Sequence, residues 1–473
     1  MRKKLLCGLT CFVMLFSLAL SGCGKTEVTI GDAIYNEKTG EMYIDTLENK
    51  ERIKISYTTG CGLEWIKEAG ASFLKLYHDK YYLVLDPDPV LASSLKTTLE
   101  TGISKTMSDV YFTQNDVWQT WAVRGWMEPL DDVYAYAGNG DTETLENRLR
   151  PAFKTVGKND DHYYAIPWNE IVTGFVYNKT LFDDYGWKVP TTADELVALC
   201  EQILKDTDGD VAPFVYPGLA GGYFENVFSG WWIQALGAEA YDEFFNLDSV
   251  DLFDPSKPAT KGKLAMLENF DKVFGASVTK YSLDGSLATG HIAAQNAMLQ
   301  EKAAMMPNGN WFEAEMKEDL KDFDLEFRMM ALPFINEAQK DADGNYIKIN
   351  YGCLPELMFV PAKAQNKTGA KEFLKFFNSS AACRQYTKTT GLWRPIDYPT
   401  DDVKFSGFAQ SAADIRATSL TVVDNPRGRH YIDGDVKKFN VDGSPFLRIV
   451  KGEITPEQYC KNEYDYVKSV LGA

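Results

Sequence analysis

Apolar and polar positions follow two different periods over the N-terminal third of the chain. Short segments alternate between the two types as half-buried strands do, and the longer segments between them show the spacing of amphipathic helices. The predicted strands are 52–57, 81–85 and 109–113, and the predicted helices are 64–77, 90–99 and 116–124. This regular alternation of strand and helix predicts an α/β architecture with a mainly parallel sheet.

The same two patterns continue toward the C-terminus. Thr192 and Glu195 have the spacing of a capping box, so a helix is predicted to begin there and to run to about residue 204. The further predicted strands are 163–167, 173–178 and 303–306, and the further predicted helices are 262–274, 289–301, 370–377 and 455–470. No internal repeat is visible, which argues against a solenoid or a propeller.

The first residues have the features of an export signal. Basic residues at 2–4 precede an apolar run over 5–20, and Leu-Ser-Gly-Cys follows at 20–23. The run is shorter than the roughly 20 residues that span a bilayer, so we predict a cleaved signal peptide over 1–22. Its ending resembles a bacterial lipobox, which implies a lipid on Cys23 and a protein held outside the cytoplasm at the cell membrane. A plain secretory signal and an uncleaved anchor are the alternatives.

The residues after Cys23 are polar and rich in turn formers, without sustained periodicity. They predict a lipid-anchored tether over 23–50 that carries the folded body. Beyond it, no segment of the sequence is apolar enough over sufficient length to predict a membrane span.

Charge and aromatic content narrow the classes of partner. The chain has 473 residues with 67 Asp+Glu against 49 Lys+Arg, a formal net charge of −18. Phosphate contacts need clustered lysine and arginine, so nucleic acid is excluded as a partner. Aromatic residues make up 13% of the chain, including 10 Trp and 25 Tyr. Flat apolar faces with polar rims suit sugar rings, so this surplus points to carbohydrate.

The cysteines do not have the spacing of a metal site or a disulfide framework. Five lie beyond the predicted lipidation site, far apart and without a C-x-x-C pair. We predict buried free thiols at these positions, which are Cys61, Cys200, Cys353, Cys383 and Cys460.

Two acidic loops, 206–210 and 341–345, begin like calcium-binding loops. Their sixth positions hold Val211 and Tyr346 where such a loop needs glycine. We therefore predict Asp-Gly turns at both places, with no metal and no cofactor.

Motifs in the middle and C-terminal parts of the chain resemble a known family in both content and order. The matching segments are Tyr-Ala-Ile-Pro-Trp at 164–168, Gly-Phe-Val-Tyr-Asn-Lys at 174–179, Gly-Trp-Lys-Val-Pro-Thr-Thr at 186–192, Glu-Lys-Ala-Ala-Met-Met-Pro-Asn-Gly-Asn-Trp at 301–311, Leu-Pro-Phe at 332–334, the helix at 369–377, and Thr-Gly-Leu-Trp-Arg-Pro at 390–395. Together they look like bacterial extracellular solute-binding proteins of carbohydrate ABC importers. The resemblance covers roughly residues 50 to 470.

The resemblance implies a two-lobe α/β fold of the type II periplasmic-binding-protein kind, with a ligand cleft between lobes joined by hinge crossovers. Carried over by segment, the first lobe takes 51–173 and 347–390, and the second takes 174–346 and 391–473. The implied function is capture of a sugar or oligosaccharide by a monomer that closes on it and delivers it to an ABC permease. No catalytic residue is implied.

Open α/β sheets bind ligands beyond the carboxyl ends of their strands, so the candidate residues are those that follow strands. Planar polar groups can pair with vicinal hydroxyls, and aromatic faces can cover the C–H surface of a pyranose. The polar candidates are Glu64, Asn115, Asn169, Glu170, Asn310 and Arg394. The aromatic candidates are Trp65, Trp168, Tyr223, Trp231, Trp311 and Trp393.

Each candidate also has a structural interpretation. Trp65 suits the core as well as a ligand platform, and Glu64 and Glu170 suit helix caps or salt bridges. Trp231 and Trp232 are adjacent, so at most one of them is expected to face the cleft.

Two alternative functions keep the secreted location. Paired carboxylates such as Glu64 and Glu170 fit a secreted glycosidase. A carbohydrate-sensing surface receptor would retain the fold without the transporter.

Overall fold

The computed structural model describes residues 26–58, 64–88, 91–103, 105–114, 118–246, 249–427 and 444–471. Its strands are β1 (Glu27–Ile30), β2 (Ala33–Asn36), β3 (Glu41–Tyr43), β4 (Glu51–Tyr57), β5 (Tyr81–Pro87), β6 (Val110–Gln114), β7 (Lys158–Asn159), β8 (His162–Tyr163), β9 (Ile166–Pro167), β10 (Thr173–Asn178), β11 (Ala212–Phe214), β12 (Ala303–Gly309), β13 (Phe327–Met330), β14 (Ile349–Tyr351), β15 (Glu356–Phe359) and β16 (Leu420–Val422).

The α-helices are α1 (Glu64–Tyr77), α2 (Leu91–Thr101), α3 (Trp118–Val123), α4 (Asp131–Tyr134), α5 (Leu145–Arg148), α6 (Lys179–Tyr185), α7 (Ala193–Asp206), α8 (Gly222–Leu236), α9 (Ala238–Phe245), α10 (Pro258–Phe274), α11 (His291–Leu299), α12 (Phe312–Glu315), α13 (Lys367–Phe377), α14 (Ser380–Thr390), α15 (Gly407–Thr418), α16 (Pro445–Val450) and α17 (Pro456–Leu471). Short 3₁₀ helices cover Pro151–Phe153, Val250–Phe253, Ala276–Tyr281, Ser286–Ala288 and Asp319–Asp322.

The larger sheet has the strand order β1-β2-β3-β5-β4-β6-β15-β9. Its centre is parallel, because β4 pairs in parallel with both β5 and β6. Its flanks are antiparallel, so the prediction of a mainly parallel sheet is wrong here. The physical reason is that short hairpins build one flank, while β15 reaches the other flank after the chain returns from the second sheet and runs in the opposite direction.

The smaller sheet has the order β11-β12-β10-β13. Strand β10 is antiparallel to both of its neighbours, and β11 is parallel to β12. Every residue of β10 and of β12 is buried, because helices and loops cover both faces of this sheet. The local signals at its border were correct: Thr192 and Glu195 form the predicted capping box at the start of α7.

Each sheet has its own apolar core, and this defines two lobes. The described residues of 26–168 and 356–398 form the first lobe, on the larger sheet. Those of 173–353 and 407–471 form the second lobe, on the smaller sheet, except that Val423 packs in the first core. The connections between them are 168–173, 353–356 and 398–407. Strand β14 pairs with β16 and packs in the second core, whereas Leu392 and Ile396 pack in the first. The predicted borders at 347 and 391 are therefore displaced by several residues.

The predicted tether at 23–50 is wrong over much of its length. Residues 27–43 form β1, β2 and β3, and β3 pairs with β5 at the side of the larger sheet. Ala33, Tyr35 and Met42 are buried in the first core, although the segment that carries them is polar and rich in turns. Cys23 and the predicted signal peptide lie outside the described residues.

Four cysteines and the acidic loop 341–345 have the structures that the sequence predicts. Four of the five cysteines are buried free thiols as predicted, at Cys200, Cys353, Cys383 and Cys460, while Cys61 lies outside the described residues. The loop at 341–345 is a turn in which the Asp341 carboxylate accepts hydrogen bonds from the backbone N–H groups of Asp343 and Asn345.

Two features are absent from the described ranges. No helix there combines the length and apolar character that crossing a bilayer requires. The same ranges hold no cluster of three or more metal-ligating side chains.

Candidate functional site

The cleft edge of the first lobe is set by the direction of its strands. The parallel strands β5, β4 and β6 all end at this edge, at Pro87, Tyr57 and Gln114. Strand β15 runs the other way, so its first residue, Glu356, lies beside Gln114. The predicted Asn115 lies outside the described residues. Glu64 is the first residue of α1, and its side chain is not described.

Trp168, Asn169 and Glu356 form a polar patch at this edge, here called the first-lobe patch. The Asn169 side-chain amide donates a hydrogen bond to Glu356 Oε2 at 2.9 Å, and the backbone N–H of Trp168 donates to the carbonyl of Glu356 at 3.1 Å. Trp168 Nε1 and Asn169 Oδ1 are buried without a hydrogen-bond partner among the described residues. Burial raises the pKa of Glu356 to about 7. The patch therefore carries polar groups whose capacity for hydrogen bonds is unused.

Glu356 was missed by the sequence analysis. It is a polar residue at the start of the apolar run 357–360, directly after Pro355, which is a strand-start signal. Because β15 is antiparallel to its neighbours, the start of this strand, and not its end, meets the cleft. The sequence alone did not reveal that direction.

Tyr223, His291 and Trp311 form an aromatic cluster in the second lobe, here called the second-lobe cluster. Trp311 follows β12, Tyr223 lies in the first turn of α8 after β11, and His291 begins α11. The Tyr223 and Trp311 rings meet edge to face at 5.8 Å, and the Tyr223 and His291 rings stack at 6.4 Å. Tyr223 and Trp311 are both half-buried. The structure thus brings two predicted ligand residues together and adds His291, which the sequence analysis did not select.

Hydrogen-bonded polar residues lie next to this cluster in the second lobe. Gln295 donates a hydrogen bond to Glu315 Oε2 at 3.0 Å, and Asn308 donates to Gln295 Oε1 at 3.4 Å. Burial raises the pKa of Glu315 above its ordinary value. Gly309 lets the Trp311 ring fold back over the backbone, because a Cβ at Gly309 would lie 2.0 Å from that ring. The close approach of the Trp311 ring to Gly309 therefore fixes the position of that ring.

Asn310 joins the two lobes and is not free for a ligand, so its assignment as a sugar-binding amide is corrected. Its Oδ1 accepts a hydrogen bond from Val172 N at 3.2 Å, and its Nδ2 donates to the Glu170 carbonyl at 3.3 Å. Both partners lie in the crossover 168–173. This clamp places Trp311 of the second lobe next to the segment that carries Trp168 and Asn169 of the first.

Glu170 is also part of the hinge region. Its side chain is 0% exposed and forms ion pairs with Arg150 Nη1 at 3.2 Å and with Arg416 Nε at 2.7 Å. Burial raises the pKa of Glu170 in spite of the two arginines. Its carboxylate joins Arg150 of the first lobe to Arg416 of α15 in the second. The prediction that Glu170 binds ligand hydroxyls is therefore corrected to a role in joining the lobes.

Trp393 contacts two of these hinge residues, Arg416 and Glu170. The Arg416 guanidinium lies 4.3 Å from its ring centroid, and the ring stacks on Phe405 at 5.1 Å. Its carbonyl accepts the backbone N–H of Glu170 at 2.8 Å. The ring thus packs against protein groups, while its Nε1 is buried without a hydrogen-bond partner among the described residues, so the assignment of Trp393 to the ligand stays a prediction.

Arg394 and Trp231 lie in the two cores. Arg394 is 0% exposed and donates to the Phe377 carbonyl at 3.1 Å and to Asn378 Oδ1 at 2.7 Å. Trp231 is 0% exposed, and its Nε1 donates to the Pro333 carbonyl at 2.7 Å. Neither side chain reaches the cleft, so both ligand assignments are corrected. In the sequence, Arg394 precedes Pro395 and Trp231 precedes Trp232, which made both of them candidates for the cleft. Packing against other parts of the chain buries them instead.

Trp65 packs in the first core and also borders a gap between the lobes. Its ring stacks on that of Trp168 at 5.0 Å, so one face of the Trp168 ring is covered. A cavity of about 390 Å³ lies against Trp65. Its other lining residues come from both lobes and are Glu313, Ala314, Lys317, Leu320, Thr387, Lys388, Thr389, Thr390, Gly391, Lys404, Phe405, Ser406 and Ala409. This volume falls in the range of small-molecule sites, about 300–1,000 Å³.

Comparison with known sequences gives a family match and curated relatives. The model of the bacterial extracellular solute-binding protein family matches residues 67–382. Diacetylchitobiose binding protein NgcE of Streptomyces coelicolor is 28% identical over 269 residues, which span 56% of this chain and 52% of that relative. The multiple sugar-binding protein of Streptococcus mutans is 25% identical over 394 residues, which span 81% of each chain.

Comparison with solved structures gives matches over most of the chain. RafE in complex with raffinose has a TM-score of 0.64 and 17% identity, covering 89% of this chain and 100% of that chain. A chitin oligosaccharide binding protein has a TM-score of 0.66 and 15% identity, covering 88% of this chain and 98% of that chain. At these identities the likeness shows the fold, and it confirms the predicted two-lobe α/β architecture.

Proposed function

Since this chain belongs to the family of bacterial extracellular solute-binding proteins, we propose that it captures a carbohydrate between its two lobes and delivers it to an ABC permease. Members of this family bind their substrates and do not convert them, so the glycosidase alternative is not favoured. The curated relatives named above are sugar-binding proteins, which supports carbohydrate as the substrate class.

The observation that carries the proposal is the second-lobe cluster. Two half-buried aromatic side chains, Tyr223 and Trp311, stand at the carboxyl ends of β11 and β12. The C–H face of a pyranose packs well on such rings, while the Tyr223 hydroxyl and the Trp311 N–H can reach ring hydroxyls. Across the crossover, the first-lobe patch offers further polar groups. An aromatic platform on one lobe and polar groups on the other together suit a sugar ring.

The proposed mechanism is a shift in the population of open and closed forms. The lobes have separate cores, so they can rotate about the connections without unfolding either core. A ligand that contacts both lobes favours the closed form by its differential affinity for that form. A hydrogen bond from Asn425 of the second lobe to Thr155 of the first, at 2.9 Å, is one contact that closure can make.

The location of the protein follows in part from the family, whose members act outside the cytoplasm. We further propose that lipid on Cys23 anchors the chain to the bacterial membrane, on the strength of the Leu-Ser-Gly-Cys sequence at 20–23. A tethered receptor stays close to its permease, which raises the rate of delivery.

Isothermal titration calorimetry against raffinose, N,N′-diacetylchitobiose and maltotriose tests the proposal. We expect the wild-type chain to bind at least one of these sugars and W311A to bind it about 10- to 100-fold more weakly, because the stacking face is lost. The matched control is W126A, which removes a half-buried Trp from the first lobe and leaves affinity unchanged. Failure of all three sugars to bind, together with hydrolysis of a glycosidic substrate, would contradict the proposal.

A further inference from the structure

Glu356 places a carboxyl group at the cleft edge of the first lobe without a charged partner. It opposes Gln114 across β15 and β6, and its Oε2 accepts one hydrogen bond, from the Asn169 amide at 2.9 Å. Among the described residues, no lysine, arginine or histidine contributes to its pKa. Burying a carboxyl group without a cation costs stability, so such a group commonly has a functional reason.

Other buried carboxylates in this protein are paired much more completely. Glu170 has two arginines, and Glu463 receives two bonds from Lys263. Asp424 accepts hydrogen bonds from two tyrosine hydroxyls. Glu356 has a single amide partner. Glu356, which is half-buried at the cleft edge, therefore has fewer partners than these three carboxylates.

Two neighbouring polar atoms share this property. Trp168 is 4% exposed and Asn169 is 6% exposed, and in the described structure neither Trp168 Nε1 nor Asn169 Oδ1 has a hydrogen-bond partner. The backbone bond from Trp168 to the Glu356 carbonyl fixes both strands side by side. The first-lobe patch thus presents one N–H donor and two oxygen acceptors. Other buried side-chain atoms in the described residues also lack partners, but these lie together at the cleft edge beside Glu356, where a bound molecule can complete them.

We infer that Glu356, Asn169 and Trp168 together recognise two neighbouring hydroxyl groups of the captured sugar. One hydroxyl donates to the Glu356 carboxylate and the next donates to Asn169 Oδ1, while one of the two hydroxyl oxygens accepts from Trp168 Nε1. This inference rests on the proposed function and specifies the first-lobe half of the same site.

The arrangement selects one class of sugar. A ring that presents vicinal hydroxyls and no charge to the first lobe satisfies all three groups. A carboxylate on the sugar ring would instead face Glu356 and Asn169 Oδ1. Asn169 Oδ1 is an acceptor at every pH, and the Glu356 carboxylate is an acceptor above its pKa of about 7, so neither could donate a hydrogen bond to it. Such a ring would leave the buried groups unpaired, which is the basis of strong discrimination in polar sites.

The test uses the full chain and calorimetric titration with whichever of raffinose, N,N′-diacetylchitobiose and maltotriose the wild type binds most tightly. We expect E356A to bind at least 10-fold more weakly and E356Q to keep part of the affinity, because its amide oxygen still accepts a hydrogen bond. W168F keeps the aromatic ring and removes the N–H, and we expect about 5-fold weaker binding. The matched control is E372Q, a half-buried position on α13 of the same lobe whose carboxylate pairs with Lys80 and not with the patch, with unchanged affinity.

Thermal unfolding without sugar separates recognition from a structural role. If Glu356 serves the ligand, E356Q unfolds at the same temperature as the wild type or higher, because the cost of burying a charge is removed, while its affinity falls. Unchanged affinity in E356A and E356Q, with wild-type binding intact, overturns the inference and leaves the proposed function standing. Absence of binding in the wild type itself to all three sugars counts against the proposed function, and the inference falls with it.

Discussion

Asp424 carries a carboxyl group within the second core, where two tyrosines solvate it. Tyr351 donates at 2.6 Å to Oδ2 and Tyr241 at 2.8 Å to Oδ1. Burial raises the pKa of Asp424 to about 6, although these hydrogen bonds oppose the shift, and nearby Asp242 adds to it. The folded protein therefore holds a proton on Asp424 at pH values where the unfolded chain, with a pKa near 3.9, has released it.

The stability that this proton contributes is fully present below about pH 4 and is lost as pH rises through about 6. We expect the free energy of unfolding of the wild type, relative to D424N, to fall by about 2 to 3 kcal/mol between pH 4 and pH 7. Urea unfolding across that range measures the difference. D401N, at an exposed position, should show no such slope. A flat difference for D424N would contradict the assignment.

For single side chains, the sequence indicated which residue types suit a sugar site better than it indicated whether each side chain is exposed. Trp311 lies after a predicted strand, as expected, and its ring meets that of Tyr223 in one cluster. Trp231 and Arg394 satisfied the same sequence criteria but are 0% exposed. The difference arises from which face of a helix or loop meets another element, and that depends on contacts between residues far apart in the chain. Glu356 was missed for the same reason.

Among the elements, the connections between the lobes contain a buried cluster of charged side chains. Glu170 in the crossover 168–173 pairs with Arg150 and Arg416, whose side chains are 20% and 14% exposed. Removing the carboxylate leaves two largely buried guanidinium groups without it. We expect E170A to lower the free energy of unfolding by about 3 kcal/mol, measured by urea denaturation at neutral pH.

The matched control for that prediction is D465A, which breaks the exposed ion pair between Lys461 and Asp465 on α17. Exposed pairs contribute little, so we expect a change below about 0.5 kcal/mol. If E170A and D465A shift the unfolding midpoint equally, the buried cluster does not hold the crossover in the way described.

The elements themselves were largely readable from sequence, because period and capping act locally. The capping box at Thr192 and the strands 52–57 and 173–178 match the structure closely. Strand pairing was not readable in the same way. The sequence predicts a tether over 23–50, because the strands within it are short and polar on one face, and only pairing with β5 makes them a sheet edge.

For the whole molecule, the order of motifs predicted the two-lobe fold, which the structural relatives confirm. It did not give the lobe borders, because hinge crossovers such as 353–356 carry no periodic signal. We assign the formal net charge of −18 to the solvated surface of the protein. The ligand is expected to bind to aromatic and polar groups between the lobes.

The central claim is that the lobes close on a sugar. Small-angle X-ray scattering of the full chain, with and without a saturating amount of the best-binding sugar of the panel, measures this directly. We predict a smaller radius of gyration in the presence of sugar for the wild type and no decrease for W311A at the same sugar concentration. An unchanged radius of gyration in wild-type protein that calorimetry shows to be saturated would contradict capture by closure.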